Sequence, residues 1–314
     1  MYPAATKRFF NFFIRQSACI PNLLRGFSDG GRHFGALHNF ARADGVGYSM
    51  ITSRQNSRIK GLAALQRKQA RQETGLTIAE GFRITREALL YADPRTLVLS
   101  ERLIGTATGE GLRDMARDRS VEILEVDESC YRKISGLKNP EGAAAVIPSR
   151  EISLANILNE DSRLIVTSGI QNPGNAGAIV RVAEAAGCSG CILLDGIDLT
   201  HPGFIRAAAG STFRLPCASA DQSNFLNAAR KLPLRVLAAA GMAEGIPYTA
   251  AAYAAPTAIC IGGEGKGLPE EILQAAESRI FIPMEKPVES LNAAVAAGII
   301  LYRAGWGMGN SPAL

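Results

Sequence analysis

Three short blocks in the C-terminal half of this 314-residue chain combine glycines with polar side chains. Glycine lets a main chain approach a ligand closely. Amide, hydroxyl, carboxylate and guanidinium groups can hold a reacting oxygen in place. A site made from these blocks would bind a ligand through the backbone and orient a polar substrate beside it. The blocks run from Asn172 to Arg181, from Ile261 to Pro269 and from Ile282 to Ala294.

Two familiar glycine motifs do not fit the second block. A phosphate-binding P-loop has a glycine where Cys260 stands, and it has Ser or Thr where Gly267 follows Lys266. A dinucleotide fingerprint closes the first strand-to-helix turn of its domain, whereas this block lies late in the chain. Taken one at a time, each block is a weak signal, and a glycine turn that caps a helix is the commoner explanation.

Histidine and cysteine chemistry is disfavoured by the positions of these residues. His201 is the one histidine outside the first 49 residues, where His33 and His38 lie. Of the six cysteines only Cys188 and Cys191 are close together, and no second pair or nearby histidine completes a zinc set. We expect small buried thiols in a reducing compartment, and no metal site.

Strands that alternate with helices position the three blocks. Near-continuous apolar strands separated by helices are typical of a parallel sheet covered on both faces, so residues 151–314 are expected to form one α/β domain. The strands are predicted over 164–167, 191–194, 235–239, 258–261 and 280–282. The helices are predicted over 176–186, 202–209, 268–276 and 291–304.

A smaller α/β domain is predicted over residues 50–150. It opens with a basic helix over 57–71, and the stretch from Arg54 to Arg71 holds six basic residues and no acidic one. Such a stripe suits a phosphate backbone, although a solvated helix face is the alternative. Four arginines are the candidate contacts to a nucleic-acid backbone: Arg54, Arg58, Arg67 and Arg71.

Residues 1–49 do not have the pattern of a folded domain. They carry six basic and two acidic residues, whereas the whole chain has a formal charge of +5. We interpret them as disordered or as an extension upstream of a reading frame that starts at Met50, with an organellar targeting peptide as the alternative. No apolar run reaches the roughly 18–20 residues that a bilayer span needs, so we expect no membrane segment and a cytoplasmic protein.

Together, in this order and at these distances, the three blocks resemble the signature motifs of the SpoU (TrmH-like) RNA 2′-O-ribose methyltransferases of the SPOUT superfamily. The resemblance runs from about Leu164 to Arg303. The stretch 51–90, which contains Ser53-Arg54-Gln55-Asn56 and Glu80-Gly81, resembles the ribosomal-protein-like RNA-binding domain that precedes this fold in many members.

The resemblance implies a C-terminal trefoil knot that binds S-adenosyl-L-methionine. It also implies a homodimer with the knots at the interface and sites that take residues from both subunits. Family cofactor contacts correspond to Gly262, Gly263, Ile282, Pro283 and Leu291. Glycines allow close approach of the main chain, and the apolar residues would form a wall for adenine and methionine.

The polar set implied by the resemblance consists of Asn175, Arg181, Glu264, Ser290 and Asn292. The family's arginine is held to activate the hydroxyl, but arginine hardly deprotonates in proteins. We therefore assign Arg181 to phosphate binding and hydroxyl orientation first, and to base catalysis second. Asn175 and Ser290 could instead be ordinary helix caps.

The expected activity is 2′-O-methylation of structured RNA with S-adenosyl-L-methionine. Ribosomal RNA is the first choice of substrate because of the extra N-terminal domain, and transfer RNA is the second. A non-catalytic RNA-binding protein on the same scaffold is the main rival. A nicotinamide-dependent enzyme is a third option, which the missing fingerprint weakens.

Overall fold

The computed structural model describes residues 50–149, 152–241, 245–263, 265–288 and 290–307. The interpretation of residues 1–49 lies outside the described residues. Among the described residues the strands form two sheets, one of four strands and one of seven. All the described residues belong to one compact unit. No helix in the described part of the chain is long and apolar enough to cross a membrane.

The four-stranded sheet belongs to the first hundred described residues and has the order β1-β4-β2-β3. β4 pairs antiparallel with both β1 and β2, and β2 pairs parallel with β3. The strands are β1 (Leu76–Glu80), β2 (Thr96–Ser100), β3 (Glu122–Val126) and β4 (Ala143–Pro148). The helices are α1 (Ser57–Ala64), α2 (Lys68–Thr74), α3 (Phe82–Tyr91), α4 (Ala107–Asp118) and α5 (Glu128–Ile134).

The single basic helix predicted over 57–71 is wrong, because the chain breaks between α1 and α2. Arg67 is extended, with φ −97° and ψ 137°. The break leaves carbonyls without helical partners, and the Nη1 of Arg71 donates to the carbonyls of Leu65 and Gln66 at 3.0 Å each. A buried guanidinium therefore satisfies the main-chain groups that the break exposes.

The seven-stranded sheet is parallel throughout and has the order β7-β6-β5-β10-β8-β11-β9. This confirms the predicted α/β fold with a parallel sheet. Its strands are β5 (Arg163–Ser168), β6 (Gly190–Leu194), β7 (Cys217–Ala220), β8 (Arg235–Ala239), β9 (Ile246–Pro247), β10 (Thr257–Gly262) and β11 (Ser278–Phe281). Its helices are α6 (Leu154–Ile157), α7 (Pro173–Ala185), α8 (Pro202–Ala207), α9 (Gln222–Lys231), α10 (Glu270–Ala275) and α11 (Ala293–Ala304).

The sequence interpretation missed β7, α9 and β9. The strands β7 and β9 are too short to show a hydrophobic period of their own. α9 did carry a start signal, because Asp221 caps it by accepting the N–H of Asn224 at 2.7 Å.

One hydrophobic core joins the two sheets. Ala79 and Ile84 from the first sheet region belong to the same buried cluster as Ile179 in α7 and Phe204 in α8. α7 and α8 cross closely at Gly177, where an added Cβ would lie 2.5 Å from the Cβ of Ala207. That glycine of the first block therefore serves helix packing. The five described cysteines are buried free thiols.

Candidate functional site

A pocket of about 680 Å³ lies where three parallel strands end. Ser168 and Gly169 line it at the end of β5, Asp195 follows β6 and Gly263 follows β10. Carboxyl ends of neighbouring parallel strands are where ligands bind in open α/β sheets. Asn175 from α7 and Ala293 from α11 complete two of its walls. We call this the strand-end pocket.

The first block forms the start of α7. Asn172 is its N-cap and accepts the N–H groups of Gly174 and Asn175 at 2.8 and 3.2 Å. Pro173 occupies the first turn, where no main-chain donor is needed. Asn175 is therefore not the cap, and it lines the strand-end pocket.

The third block supplies the partner of that side chain. Asn292 is the N-cap of α11, and its Oδ1 accepts the N–H groups of Ala294 and Val295 at 2.9 and 3.4 Å. Its Nδ2 donates to the Oδ1 of Asn175 at 3.1 Å. The first and third blocks, 117 residues apart in sequence, thus meet through one amide pair at the pocket.

The glycines of the second block let two loops approach each other. The N–H of Gly263 donates to the carbonyl of Ser168 at 2.8 Å. A Cβ added at Gly263 would lie 2.7 Å from the carbonyl oxygen of Gly169, and one at Gly262 would lie 2.1 Å from the carbonyl carbon of Gly267. Main chain therefore approaches both glycines closely: Gly263 meets the neighbouring loop, and Gly262 meets Gly267 of its own block.

Arg181 lies away from Asn175. Six residues separate the two along α7, which places them about 9 Å apart along the axis and about 120° apart around it. Arg181 is exposed and lines a second pocket, which shares no lining residue with the first. Within one copy of the chain, the structure does not bring Arg181 to the pocket of Asn175.

The other residues of the predicted site are divided among several positions. Ser290 and Pro283 are exposed, and Ile282 and Leu291 are partly exposed. These four do not line the strand-end pocket, and Ile282 packs against the main core instead. Glu264 lies outside the described residues.

The four arginines of the basic stripe also differ in their exposure to solvent. Arg54 and Arg67 are exposed. Arg58 is 35% exposed and forms an ion pair with Glu122 at 2.6 Å. Arg71 is 2% exposed and its Nη2 lies 2.7 Å from the Oδ2 of Asp198. The assignment of Arg71 to RNA binding is wrong, because no surface of this side chain is left for a phosphate.

Two acidic residues after β6 were left out of the sequence-based site. Asp195 lines the strand-end pocket, with a left-handed φ of 49°. Asp198 is the partner of Arg71, and its hydroxyl neighbour Thr200 donates to it at 2.7 Å. Burial raises the pKa of Asp198, but the hydrogen bonds from Arg71 and Thr200 outweigh burial and hold this pKa below its ordinary value. The signal was their position directly after a buried strand.

Two family profiles match this chain. The SpoU rRNA Methylase family matches residues 162–302, and the MRM3-like substrate binding domain matches residues 56–145. The second match overlaps the region that carries the four-stranded sheet.

Relatives and a solved structure extend this likeness over most of the chain. The 23S rRNA (guanosine(2553)-2′-O)-methyltransferase RlmP of Bacillus subtilis is 27% identical over 255 residues, which cover 80% of this chain and 97% of that protein. The 23S rRNA (guanosine-2′-O-)-methyltransferase RlmB of Ralstonia nicotianae is 30% identical, over 60% of this chain and 78% of that protein. The AdoMet-bound rRNA methyltransferase structure from Sinorhizobium meliloti has a TM-score of 0.73 and 31% identity, over 82% of this chain and 97% of that one. With its three blocks on the matched sheet, the chain belongs to the SpoU rRNA methylase family.

Proposed function

We propose that this protein transfers a methyl group from S-adenosyl-L-methionine to a ribose 2′-hydroxyl of ribosomal RNA. The observation that carries the proposal is the hydrogen bond between Asn292 and Asn175 at the strand-end pocket. It links the first and third blocks of the family pattern beside the glycine loop of the second block. Ribosomal RNA is preferred because the relatives RlmP and RlmB are named as 23S rRNA methyltransferases. Transfer RNA is the second substrate.

The strand-end pocket fits a cofactor of this size. Its volume of about 680 Å³ lies within the range of about 300–1,000 Å³ that is usual for small-molecule sites. Gly169, Gly263 and Gly267 present main chain to it, while Ile170 and Ala293 add apolar surface. Bound there, S-adenosyl-L-methionine would supply an activated methyl group on a sulfonium.

The neighbouring contacts predicted from the family remain part of the proposal. Gly262 would hold the glycine loop against its neighbour. Ile282, Pro283 and Leu291 lie at or after the end of β11 and would extend the apolar wall. Methyl transfer requires the 2′-oxygen to lie in line with the sulfonium, so positioning should account for most of the rate enhancement.

The protein's polar side chains would do this positioning. Asn292 holds Asn175 through the amide pair, so the Asn175 side chain has a fixed direction at the pocket. Ser290 and Glu264 are proposed to support the same region. We assign Arg181 to binding a phosphate and orienting the ribose. Its distance from Asn175 within one copy is consistent with a site that takes residues from two subunits.

A homodimer is part of this proposal. Val295 and Tyr302 on α11 are 51% and 56% exposed. They are seven residues apart, so they lie on one face of the helix. Exposed apolar residues on one face favour an interface. The proposal also includes a trefoil knot, a domain boundary near residue 150 and a cytoplasmic location for ribosomal RNA modification.

RNA binding would use the exposed part of the basic stripe. Arg54 and Arg67 are exposed, and Lys60 and Lys68 lie near them in sequence and are exposed as well. Arg58, whose side chain is 35% exposed, would contribute once its ion pair with Glu122 rearranges. Exposed cations of this density would bind phosphates with a strong salt dependence.

Two measurements test the proposal. Calorimetry should show saturable binding of S-adenosyl-L-methionine and none of NAD. Mapping of ribose methylation in cells with and without the gene should reveal one missing 2′-O-methyl group in ribosomal RNA. Binding of RNA without binding of the cofactor would favour the non-catalytic rival. A methyl group missing from transfer RNA instead would make transfer RNA the substrate.

A further inference from the structure

A second cleft, of about 800 Å³, lies between the region of the small sheet and the region of the large one. Arg83 and Arg86 line it from α3. Arg181 lines it from α7, Arg206 from α8, and Arg214 from the turn that follows. We call it the arginine cleft. Five guanidiniums around one cleft repel each other unless anions balance them.

The carboxylates of the cleft are already engaged. Glu80 accepts hydrogen bonds from the hydroxyl of Ser135 and from the N–H of Gly136. Glu141 accepts the N–H of Phe82 at 2.6 Å.

The remaining two carboxylates are held by one guanidinium. Arg214 donates to Glu184 at 2.6 and 3.0 Å, and it also binds Glu87. All four acidic side chains that line the cleft therefore have partners that fix them in place.

The other four arginines have no such partners. Arg83, Arg86, Arg181 and Arg206 form no ion pair and no side-chain hydrogen bond with any residue in the described part of the chain. Arg83, Arg86 and Arg181 are exposed, and Arg206 is half-buried. Their donors are free to bind a ligand that carries several negative charges.

The walls that hold these arginines are tied together. Arg214 joins Glu87 of α3 to Glu184 of α7, and its guanidinium lies 4.8 Å from the centre of the Tyr91 ring. Gly210 has φ +95°, and an added Cβ there would lie 2.8 Å from the Cγ of Glu87. The two walls therefore pack at Gly210 with no room for a side chain there. The helices that carry the four unpaired arginines are held in place by these contacts.

We propose that the arginine cleft binds the RNA backbone next to the methylated nucleotide, with Arg83, Arg86 and Arg206 as substrate-positioning residues. The proposal rests on the proposed function. A polynucleotide fits better than a single phosphate because four guanidiniums on three helices can each take a separate phosphate. Arg181, at the same cleft, would connect this bound backbone to the ribose that reacts.

The test measures how RNA binding depends on salt. The double variant Arg83→Ala/Arg86→Ala is titrated with an in vitro transcript of bacterial 23S ribosomal RNA at several KCl concentrations. The slope of log affinity against log salt should become shallower by about 1.4–1.8, which is the loss expected for two phosphate contacts. Arg83→Lys/Arg86→Lys should restore most of the slope, because an ammonium also neutralises a phosphate.

The matched control is Arg230→Ala/Lys231→Ala, which removes two exposed charges from one helix outside the cleft. Its slope should stay at the wild-type value. An unchanged slope in the Arg83→Ala/Arg86→Ala variant would overturn the proposal. So would a loss of S-adenosyl-L-methionine binding in that variant, since it would indicate a structural role. A wild-type protein that binds the transcript but transfers no methyl group would overturn the proposed function alone.

Discussion

The Nη2 of Arg71 lies 2.7 Å from the Oδ2 of Asp198, in an ion pair that joins α2 to the loop after β6. The guanidinium is 2% exposed and the carboxylate 17%. The same arginine donates its Nε to Thr200 at 3.0 Å. In addition, the hydroxyl of Thr77 in β1 donates to the carbonyl of Thr200. This junction fixes the small-sheet region against the large sheet.

Arg71→Ala should strongly destabilise the protein. It leaves Asp198 partly buried without its partner, and it also leaves the carbonyls at the break between α1 and α2 unsatisfied. Removing one partner of a buried ion pair costs about 3–5 kcal/mol. Urea unfolding at pH 7.5 measures the free energy of unfolding.

The control for this prediction is Arg67→Ala, four residues away and exposed. It should change the free energy of unfolding by less than about 0.5 kcal/mol. Equal losses in the two variants would contradict a structural role specific to Arg71 and would reopen its assignment to RNA.

His201 should make stability depend on pH. Burial lowers the pKa of His201 below its ordinary value of 6.5, and the charge of Arg71 lowers it further, while Asp198 opposes this. Its Nδ1 accepts the N–H of Gly203 at 3.0 Å at the start of α8. Because the folded-state pKa of His201 lies below its unfolded value, the neutral imidazole stabilises the folded state above pH 6.5. This stabilisation is lost as pH falls through the folded-state pKa.

The variant His201→Asn tests this dependence, because Asn keeps a cap acceptor and does not titrate. The free energy of unfolding is measured at pH 7.5 and pH 5.5. The decrease between the two should be smaller in the variant than in the wild type. Equal decreases would assign the pH dependence to other groups.

Gly263→Ala should distort the strand-end pocket. The new Cβ would lie 2.7 Å from the carbonyl oxygen of Gly169, and main chain can yield only if the loops separate. Overpacking costs about 1–3 kcal/mol, so affinity for S-adenosyl-L-methionine should fall by about tenfold. Gly111→Ala in α4, with no atom within 4 Å of the new Cβ, should leave the affinity unchanged. Normal calorimetric affinity in Gly263→Ala would show that the close approach does not shape the cofactor site.

The variant Asn292→Asp separates the two functions of this side chain, which caps α11 and donates to Asn175. A carboxylate still accepts the N–H groups of Ala294 and Val295, so α11 keeps its cap. It cannot donate to the Oδ1 of Asn175, and the loss of this hydrogen bond should lower the single-turnover methylation rate on the order of 10²-fold. Asn227→Asp adds the same charge at an exposed position of α9 as the control. A normal rate with Asn292→Asp would remove Asn175 from the positioning set.

The hydrophobic pattern predicted five of the seven strands of the parallel sheet, because a buried strand such as β6 has apolar residues at nearly every position. The break between α1 and α2 was missed for a physical reason. Its stability comes from Arg71, whose partner Asp198 is 127 residues away. Local sequence shows the charge of Arg71 but not the carbonyls and carboxylate that surround it in the fold.

The candidate site, too, was only partly predictable from the sequence. Motif order predicted that Asn175 and Asn292 lie close together, since family motifs report residues that meet in space. The family pattern also grouped Arg181 with Asn175, but within one copy of the chain the two residues line different pockets. The arginine cleft could not be predicted, because Arg83 and Arg206 are brought together only by packing between the two sheet regions.

Arg181→Lys should lose most of the methylation rate. If Arg181 orients the ribose and its phosphate through a planar fork of donors, an ammonium with one charged point cannot reproduce the geometry. The loss should be on the order of 10²-fold or more, comparable with removal of one transition-state donor. Single-turnover methylation of the mapped RNA at saturating cofactor isolates this step. Arg181 does not line the strand-end pocket, so the calorimetric affinity for S-adenosyl-L-methionine should stay at the wild-type value.

The stability of Arg181→Lys distinguishes a role in orienting the ribose from a structural role. Arg181 is exposed and forms no ion pair with another described residue, so Arg181→Lys should unfold at the wild-type temperature and keep the oligomeric state. Arg117→Lys on the exposed side of α4 is the matched control and should methylate normally. A near-normal rate for Arg181→Lys would reduce its role to neutralising a phosphate, since a lysine does that equally well. A slow rate together with a lost dimer would make Arg181 an interface residue, because the site would then fail through assembly and not through orientation.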